Sequence, residues 1–228
     1  EQSAAHMADG FARVSKRPGV CMATSGPGAT NLVTGIATAY LDSIPIVAVT
    51  GQVPRPMIGK DAFQETDIIG VATAITKYCF QPKAAAEIPE VVKKAFYISG
   101  TGRPGPVLID IPKDVQQEAS YMNFPDRVEV RGYKPKVDPH PVQVERAAEL
   151  LLSAERPIIM AGGGVIIGGA FAELQAIAEF LQSPVATTFK GKGSFPENHP
   201  LSLGPIGMHG HPEANKLIIE ADVLLAAG

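Results

Sequence analysis

The side chains that could take part in chemistry lie where predicted helices and strands begin or end. Glu1 opens a helical pattern, and Lys113 closely follows the apolar run Val107–Ile111, which has the length of a strand. Open α/β sheets bind ligands beyond the carboxyl ends of their strands, so Lys113 occupies a favoured position for a binding or catalytic side chain. A solvated surface position is the more common role of a single glutamate or lysine. Position alone leaves both interpretations open.

A long loop is predicted at Gly51–Thr66, about sixteen residues in a compact domain where most connections have about four to six. It carries Phe63, Gln64 and Glu65 in succession and few residues of the kind that favour disorder. Long ordered loops often carry binding or catalytic residues. We therefore expect a functional loop, the alternative being a surface loop that only packs against the domain.

Two glycine-rich turns, Ser25–Gly28 and Gly162–Gly164, each follow a predicted strand and precede a predicted helix. Glycine lets a ligand approach the backbone closely, and the following helix N-terminus presents free N–H groups to an anion. Neither turn has the complete dinucleotide-binding fingerprint, and a tight chain reversal also requires glycine. His209, between Gly207 and Gly210, is similarly either a binding residue or a turn residue. Spacing alone does not separate these interpretations.

The composition argues against several classes of protein. The chain has 228 residues, of which 45% are hydrophobic and 19% charged, and its formal net charge is -3. Because lysine and arginine form no cluster, neither nucleic acid nor an anionic membrane is expected as a partner. The longest apolar runs are too short, or too interrupted by charge, to cross a bilayer. Cys21 and Cys79 lie in apolar runs without metal-binding neighbours, which is typical of reduced core thiols in a cytoplasmic protein.

Helical patterns alternate with apolar strand patterns along the chain, which predicts an α/β fold. Strands of five or six residues with almost no polar alternation indicate a parallel sheet covered on both faces. We predict a doubly wound first domain at residues 1–118, a proline-rich linker at 119–141 and a second, Rossmann-like α/β domain at 142–228. The predicted helices are Glu1–Val14, Ala29–Leu41, Glu87–Ser99, Val142–Leu152, Ala170–Leu181 and Glu213–Glu220. The predicted strands are Gly19–Thr24, Ile44–Thr50, Ile75–Phe80, Val107–Ile111, Pro157–Ala161, Val185–Thr188 and Asp222–Ala227.

Five ordered segments resemble those of thiamine-diphosphate enzymes. Glu1–Arg13 is similar to the helix that opens with the cofactor-activating glutamate, and Thr24–Asn31 is the next block shared by that superfamily. Three further blocks, Gly51–Thr66, Gly102–Asp114 and Gly207–Gly210, resemble the catalytic large subunit of the acetohydroxyacid synthase (acetolactate synthase) family specifically. The resemblance covers essentially all 228 residues in order.

This resemblance implies a subunit of three domains, of which the chain would be a fragment that is inactive alone. The first domain would bind the pyrimidine half of thiamine diphosphate, and the second would be the FAD-binding central domain. The start of the first domain would precede Glu1, and a domain with the Mg2+ ligands would follow Gly228. The family site lies between two subunits, so a homodimer or tetramer is implied, and a regulatory small subunit would be a further partner.

The resemblance also implies roles for individual residues. Glu1 would hydrogen-bond the aminopyrimidine ring of thiamine diphosphate, and a dry cleft would suit its carboxyl group to proton exchange. Phe63 and Gln64 would shape the site beside the thiazolium ring, with Phe63 contacting substrate. Lys113 would offer a cation to the carboxylate of the incoming 2-ketoacid. The remaining implied contacts are Pro27, Asn31 and His209 with the cofactor, Met208 with substrate, and Arg103, Gly162, Gly163, Gly164 and Thr188 with FAD.

The implied reaction decarboxylates pyruvate and joins the two-carbon unit to a second 2-ketoacid, pyruvate or 2-ketobutyrate, in the biosynthesis of valine and isoleucine. Since this reaction has no net redox change, FAD would be structural. Phe189 and Lys190 depart from the family pattern and leave the detail of flavin contact open. Pyruvate oxidase and sulfoacetaldehyde acetyltransferase are the nearest alternatives, and a non-catalytic nucleotide-binding module is one from another class. Glyoxylate carboligase is disfavoured because that family lacks the glutamate found at Glu1.

Overall fold

The computed structural model describes residues 1–135 and 138–228 and divides into two compact units, Glu1–Val137 and Asp138–Gly228. Residues 136 and 137, which belong to the predicted linker, lie outside the described residues. Each unit contains one four-stranded sheet in which every strand pair is parallel. The predicted α/β fold with parallel sheets is therefore confirmed. Among the described residues, no helix has the length and apolar character that a membrane span requires.

The first unit has the strand order β1-β2-β4-β3. Its elements in chain order are α1 (Gln2–Ser15), β1 (Gly19–Ala23), α2 (Pro27–Thr30), α3 (Val33–Leu41), β2 (Ile46–Gln52), α4 (Ile68–Ala72), β3 (Tyr78–Phe80), α5 (Ile88–Gly100), β4 (Val107–Pro112) and α6 (Lys113–Gln117). Single 3-10 turns lie at Arg55–Met57, Thr73–Ile75 and Ala85–Glu87.

Both faces of this sheet are covered, because successive apolar residues of the central strands point to opposite sides. Ile46 and Ala48 of β2 pack in a core with α1, α3 and α4. Val47, between them, packs in a second core with α5. The two cores hold β2 and β4 in register, with Thr50 beside Asp110. This pairing places the carboxyl ends of both strands at one edge.

Helix α1 lies close enough to β1 that only small residues fit between them. A Cβ atom on Gly19 would lie 2.1 Å from the carbonyl oxygen of Ala8. Ala5, Ala8 and Ala12 are buried in this contact. Phe11 of the same helix lies outside this contact and is 52% exposed. A phenyl ring has no room where the helix backbone approaches the strand this closely.

The second unit has the strand order β7-β6-β5-β8. Its elements are α7 (Pro141–Ser153), β5 (Pro157–Ala161), α8 (Gly163–Gly168), α9 (Phe171–Leu181), β6 (Val185–Thr187), β7 (Ser202–Pro205), α10 (Pro212–Glu220) and β8 (Val223–Ala227), with a 3-10 turn at Phe189–Gly191. Ile159, Val185 and Leu174 belong to its core.

Several predicted elements differ from the structure, mainly where they are short. The helix predicted at Ala29–Leu41 is divided into α2 and α3, and the strand predicted at Ile75–Phe80 is reduced to Tyr78–Phe80. The turn predicted at Gly162–Gly164 is wrong beyond its first residue, because α8 begins at Gly163. Helices α4 and α6 and strand β7 were not predicted, since four or five residues are too few for a periodic pattern to identify.

The segment predicted as a linker forms neither helix nor strand over residues 118–135 and 138–140. Part of it nevertheless packs on the first unit. Val130 and Tyr133 contact the core beside α5, and the Tyr133 hydroxyl donates to the carbonyl of Thr101 at 2.7 Å. The domain limits and the linker remain predictions.

Candidate functional site

Glu1 lies at the N-terminus of α1 with its carboxylate against the first glycine-rich turn. It occupies the N-cap position but does not cap its own helix. Instead, Asn31 Nδ2 donates to Glu1 Oε2 at 3.3 Å. A Cβ atom on Gly28 would lie 3.6 Å from Glu1 Oε1, so both carboxylate oxygens face the turn. Glu1 is exposed, so the described residues alone do not form the dry cleft expected around it.

The turn itself is shaped by residues that set its backbone geometry. Gly26 has a φ of 62°, which favours glycine, and Pro27 begins α2 at the position where proline is well tolerated. The amide of Asn31 donates to the carbonyl of Pro27 at 3.0 Å. This closes one helical turn and brings the Asn31 side chain back toward Glu1.

The long loop returns to this turn at Gln64. A Cβ atom on Gly26 would lie 2.7 Å from the carbonyl oxygen of Gln64, so the two backbones touch. Gln64 has a φ of 59°, a left-handed conformation that is uncommon for a residue other than glycine. Glu1, Gly26 and Gln64 are therefore brought together from three separate segments of the sequence. Phe63 beside them is 89% exposed.

Two carboxylate networks hold the loop in place. The amides of Gly59 and Ala62 both donate to the Glu65 carboxylate, and these hydrogen bonds lower the pKa of Glu65. Arg55 Nε donates to Asp114 Oδ2 at 2.7 Å, and the same guanidinium group reaches Glu118. The bond from Arg55 is also the main cause of the lowered pKa of Asp114. The loop is thus fixed to itself and to α6.

Lys113 lines a pocket of about 520 Å³ at the carboxyl ends of β1, β2 and β4. The pocket reaches the first turn at Thr24 and Ser25, and the start of the long loop at Gly51 and Gln52. Lys113 is the first residue of α6, directly after β4. The structure therefore places Lys113 at the sheet edge from which the first turn and the long loop begin.

A buried polar network under this pocket was missed by the sequence interpretation. Asp110 of β4 is 0% exposed. Its carboxylate accepts hydrogen bonds from Thr50 Oγ1 at 2.7 Å, Gln52 Nε2 at 3.1 Å and Gln81 Nε2 at 3.0 Å. Burial raises the pKa of Asp110. The available signal was a carboxylate inside the otherwise apolar strand Val107–Pro112.

Arg103 lies apart from this network. Its Nε donates to Ser43 Oγ at 2.6 Å, which joins the end of α5 to the turn between α3 and β2. Ser43 is buried and has a φ of 60°. Arg103 therefore has a structural partner inside the first unit, and its contact with FAD remains a prediction.

The second glycine-rich turn packs against the neighbouring strand ends. A Cβ atom on Gly162 would lie 2.0 Å from the Gly228 oxygen, and one on Gly164 would lie 2.6 Å from the Gly228 Cα. Their amides donate to Ala227 and Gly228. The amides of Gly162 and Gly164 are therefore not free to bind an anion, because Ala227 at the end of β8 and Gly228 after it accept their hydrogen bonds.

Gly163 instead faces the segment after β6. A Cβ atom on Gly163 would lie 3.2 Å from Lys190 Cβ. Thr188 begins that segment, where its hydroxyl accepts from the Gly191 amide at 3.0 Å and its own amide donates to Ala161. Gly163 and Thr188 thus lie at the carboxyl edge of the second sheet, and their contact with FAD remains a prediction.

Met208 and His209 stand on an exposed turn of the second unit. Met208 is 92% exposed, and Gly207 has a φ of 105°. Asn215 of α10, which the sequence interpretation missed, donates to the Gly207 carbonyl at 3.0 Å and accepts from its amide at 2.9 Å. This reciprocal pair fixes the turn and presents Met208 and His209 outward. Among the described residues, no group of three or more His, Cys, Asp or Glu could hold a metal ion.

Comparison with known proteins identifies both units. The N-terminal TPP-binding domain of thiamine pyrophosphate enzymes matches residues 1–71, and the central domain of the same enzymes matches residues 144–228. A solved structure of a putative thiamin diphosphate-dependent enzyme from Mycobacterium smegmatis covers 99% of this chain with a TM-score of 0.83 and 26% identity, and 43% of that enzyme is matched.

Relatives align along the whole chain. A probable acetolactate synthase large subunit of Methanocaldococcus jannaschii is 58% identical over 100% of this chain, and an acetolactate synthase of Arthrospira platensis is 51% identical over 100%. The chain spans 39% and 40% of the length of these relatives. The chain belongs to the thiamine pyrophosphate enzymes, and among them it aligns over its full length with large subunits of acetolactate synthase.

Proposed function

We propose that this chain is part of an acetolactate synthase, which decarboxylates pyruvate and condenses the two-carbon unit with a second 2-ketoacid. The observation that carries the proposal is the position of Glu1, whose carboxylate is held by Asn31 against the turn that Gln64 also contacts. The alignment of the whole chain with acetolactate synthases supports the reaction class. Pyruvate and 2-ketobutyrate are the proposed acceptors.

The residues present fit the pyrimidine half of thiamine diphosphate. A carboxylate that does not cap its own helix is held by a side-chain amide beside Gly28, and its exposure leaves it accessible to an aromatic ring. When bound, the cofactor supplies the carbon nucleophile and the electron sink of the reaction. Glu1 would exchange a proton with a ring nitrogen, and Asn31 would orient its carboxylate, with Pro27 fixing the turn below.

The pocket beside this carboxylate suits an anionic substrate. Lys113 is the cation among its lining residues, and Thr24 and Ser25 add polar groups. We propose that Lys113 attracts the carboxylate of the 2-ketoacid. Phe63 and Gln64 would complete this site from the long loop. Met208 and His209, on their exposed turn of the second unit, are proposed contacts of substrate and cofactor.

The cofactors and assembly are also part of the proposal. Mg2+ would be bound outside the described residues, and FAD would be structural. The fit to FAD is partial, because the amides of Gly162 and Gly164 already donate hydrogen bonds within the second unit. The exposed position of Glu1 supports a homodimer or tetramer in which another subunit closes the site. The free Cys21 and Cys79 support a location in the cytoplasm. A regulatory small subunit remains a proposed partner.

The test is acetolactate formation from pyruvate by the full-length protein with thiamine diphosphate, Mg2+ and FAD, beside Glu1→Gln. Loss of a positioned proton-transfer group should lower kcat by about 10²- to 10⁴-fold. Glu90→Gln is the matched control, because Glu90 lies on α5 and its carboxylate forms an exposed ion pair with Lys94. Its kcat should remain within about twofold of wild type.

Other outcomes would replace the proposal. Formation of acetate with oxygen consumption would indicate a pyruvate oxidase. Turnover of sulfoacetaldehyde but not pyruvate would indicate an acetyltransferase. Cofactor binding without turnover of any 2-ketoacid would indicate a non-catalytic binding module.

A further inference from the structure

The side chain of Gln52 closes the base of the long loop. Gln52 is the last residue of β2, and its Nε2 donates to the carbonyl of Thr66, at the other end of the loop, at 2.8 Å. The same Nε2 donates to Asp110 Oδ2, and Oε1 accepts from the amide of Val53 at 2.9 Å. Both amide hydrogens and the carbonyl oxygen of Gln52 are therefore engaged, which fixes the orientation of this side chain.

The carboxylate of Asp110 helps to fix the side chain of Gln52. It is fully buried, and its hydrogen-bond donors are the neutral groups of Thr50, Gln52 and Gln81. Within residues 1–135 and 138–228 no ion pair includes Asp110. A buried carboxylate without a cation is costly, and well-packed apolar residues often stabilise a core as well or better. Stability alone therefore does not explain the network.

The network ends two residues from Gln64. Thr66 is held by Gln52, and Gln64 keeps a left-handed backbone whose carbonyl touches Gly26 beside Glu1. A left-handed conformation of a residue other than glycine is strained and persists only when its surroundings hold it. The bond from Gln52 supplies such a restraint on the C-terminal side of Gln64.

We propose that Asp110 and Gln52 are positioning residues, which act through Thr66 to hold Gln64 against the turn below Glu1. This inference deepens the proposed function and rests on it. Neither residue needs to touch the substrate or the cofactor, since their effect passes through the loop backbone. Replacing Asp110 or Gln52 should therefore lower the activity only when the side chain of Gln64 is present.

The first test is a double-mutant cycle in the full-length enzyme. Gln52→Met keeps the length of the side chain but removes every hydrogen bond. Alone, it should lower kcat for acetolactate by about 10- to 100-fold, as expected for a misplacement near 1 Å, with less effect on KM for pyruvate. In a Gln64→Ala background, the same change should lower kcat by less than about twofold, because coupled residues are not additive.

The second test measures the loop directly, without cofactor or turnover. Amide hydrogen exchange of residues 59–66 in the full-length protein should be about tenfold faster in Gln52→Met and Asp110→Leu than in wild type. Asp110→Asn should restore slow exchange, because its oxygen can accept from both glutamines while its amide donates to Thr50. Ser99→Ala is the control, since Ser99 is a buried hydroxyl that donates to Gly105 at 2.8 Å and does not contact the loop.

The outcomes separate the two proposals. If wild-type protein forms no acetolactate, the proposed function fails while the exchange experiment still tests the network. If wild type is active but Gln52→Met lowers kcat equally in both backgrounds, or loop exchange is unchanged, the positioning role is overturned. Faster loop exchange in Ser99→Ala equal to that in Gln52→Met would likewise overturn it, because general destabilisation would then explain the effect.

Discussion

The two glycine-rich turns occupy similar places in the sequence and have different roles in the structure. Ser25–Gly28 follows β1, an edge strand, whereas Gly162–Gly164 follows β5, an interior strand with neighbours on both sides. The first turn meets Gln64 and Glu1. The second meets Gly228, next to the end of β8, and Lys190, after β6. The first turn is thus in contact with a loop that is distant in the sequence, while the second is occupied by the segments that follow the two strands beside β5.

A glycine in a turn therefore indicates that another segment approaches the backbone closely, but not which segment it is. At Gly26 the nearest atoms belong to the backbone of a loop that carries predicted site residues. At Gly162 they belong to the neighbouring strand of the same sheet. We therefore expect substitutions in the first turn to act mainly on activity and those in the second mainly on stability.

The largest expected effect is that of Gly26→Ala on acetolactate formation by the full-length protein. The new Cβ atom would meet the Gln64 carbonyl at 2.7 Å, and a φ of 62° strains any other residue. Displacing Gln64 by about 1 Å should lower kcat by about 100-fold. Gly10→Ala is the matched control, because no atom lies within 4 Å of its new Cβ on α1. Activity of Gly26→Ala near that of Gly10→Ala would contradict a functional role for this turn.

Gly162→Ala should instead destabilise the second unit. Its Cβ atom would lie 2.0 Å from the Gly228 oxygen, and overpacking of this kind costs typically about 1–3 kcal/mol of unfolding free energy. Chemical denaturation followed by hydrogen exchange of the second unit measures this loss. Gly168→Ala is the control, since Gly168 is exposed and has no atom within 4 Å of the new Cβ. Equal stability of the two variants would show that the second turn is not a packing turn.

Much of the fold could be predicted from the sequence because its strands are apolar and uninterrupted. Pro157–Ala161 agrees with β5 at both ends, and Val107–Ile111 is one residue shorter than β4. The division of Ala29–Leu41 into two helices could not be predicted. Many of its residues are Ala and Thr, which give no periodic signal that would mark a break near Asn31.

The candidate site could be predicted only in part. Glu1, Gln64 and Lys113 were found through resemblance, and their proximity to the first turn and its pocket came from the structure. Asp110 and Gln52 were missed because single polar residues in strands carry no periodic signal. The role of the Gly162 and Gly164 amides stayed open, since nothing in their spacing indicates that β8 ends against them.

A smaller effect is expected from Glu65→Gln, which loosens the loop that meets the first turn. At pH 7, amides 59–62 should exchange roughly threefold faster in the variant than in wild type. Hydrogen bonds from Gly59 and Ala62 lower the pKa of Glu65, so its stabilising effect is present above its ordinary pKa of 4.5. That effect is lost as the pH falls through the lowered pKa. The ratio of exchange rates should therefore approach one in acid, and a ratio that stays constant with pH would contradict the role of the carboxylate.

A final effect, on stability alone, is expected at Cys21, which reports on the strand before the first turn. Cys21 is buried in β1, and burial raises the pKa of its thiol to about 11. At neutral pH the thiol is protonated, so alkylation of this residue requires opening of the first unit. Gly26→Ala should speed alkylation of Cys21 by about tenfold, measured by mass spectrometry of its peptide, because strain of about 1–3 kcal/mol at the turn favours opening. Gly162→Ala should leave the rate unchanged, since its strain lies in the other unit. An equal increase of the alkylation rate in both variants would show that the two units open together. The two turns would then not differ in their effect on the stability of the first unit.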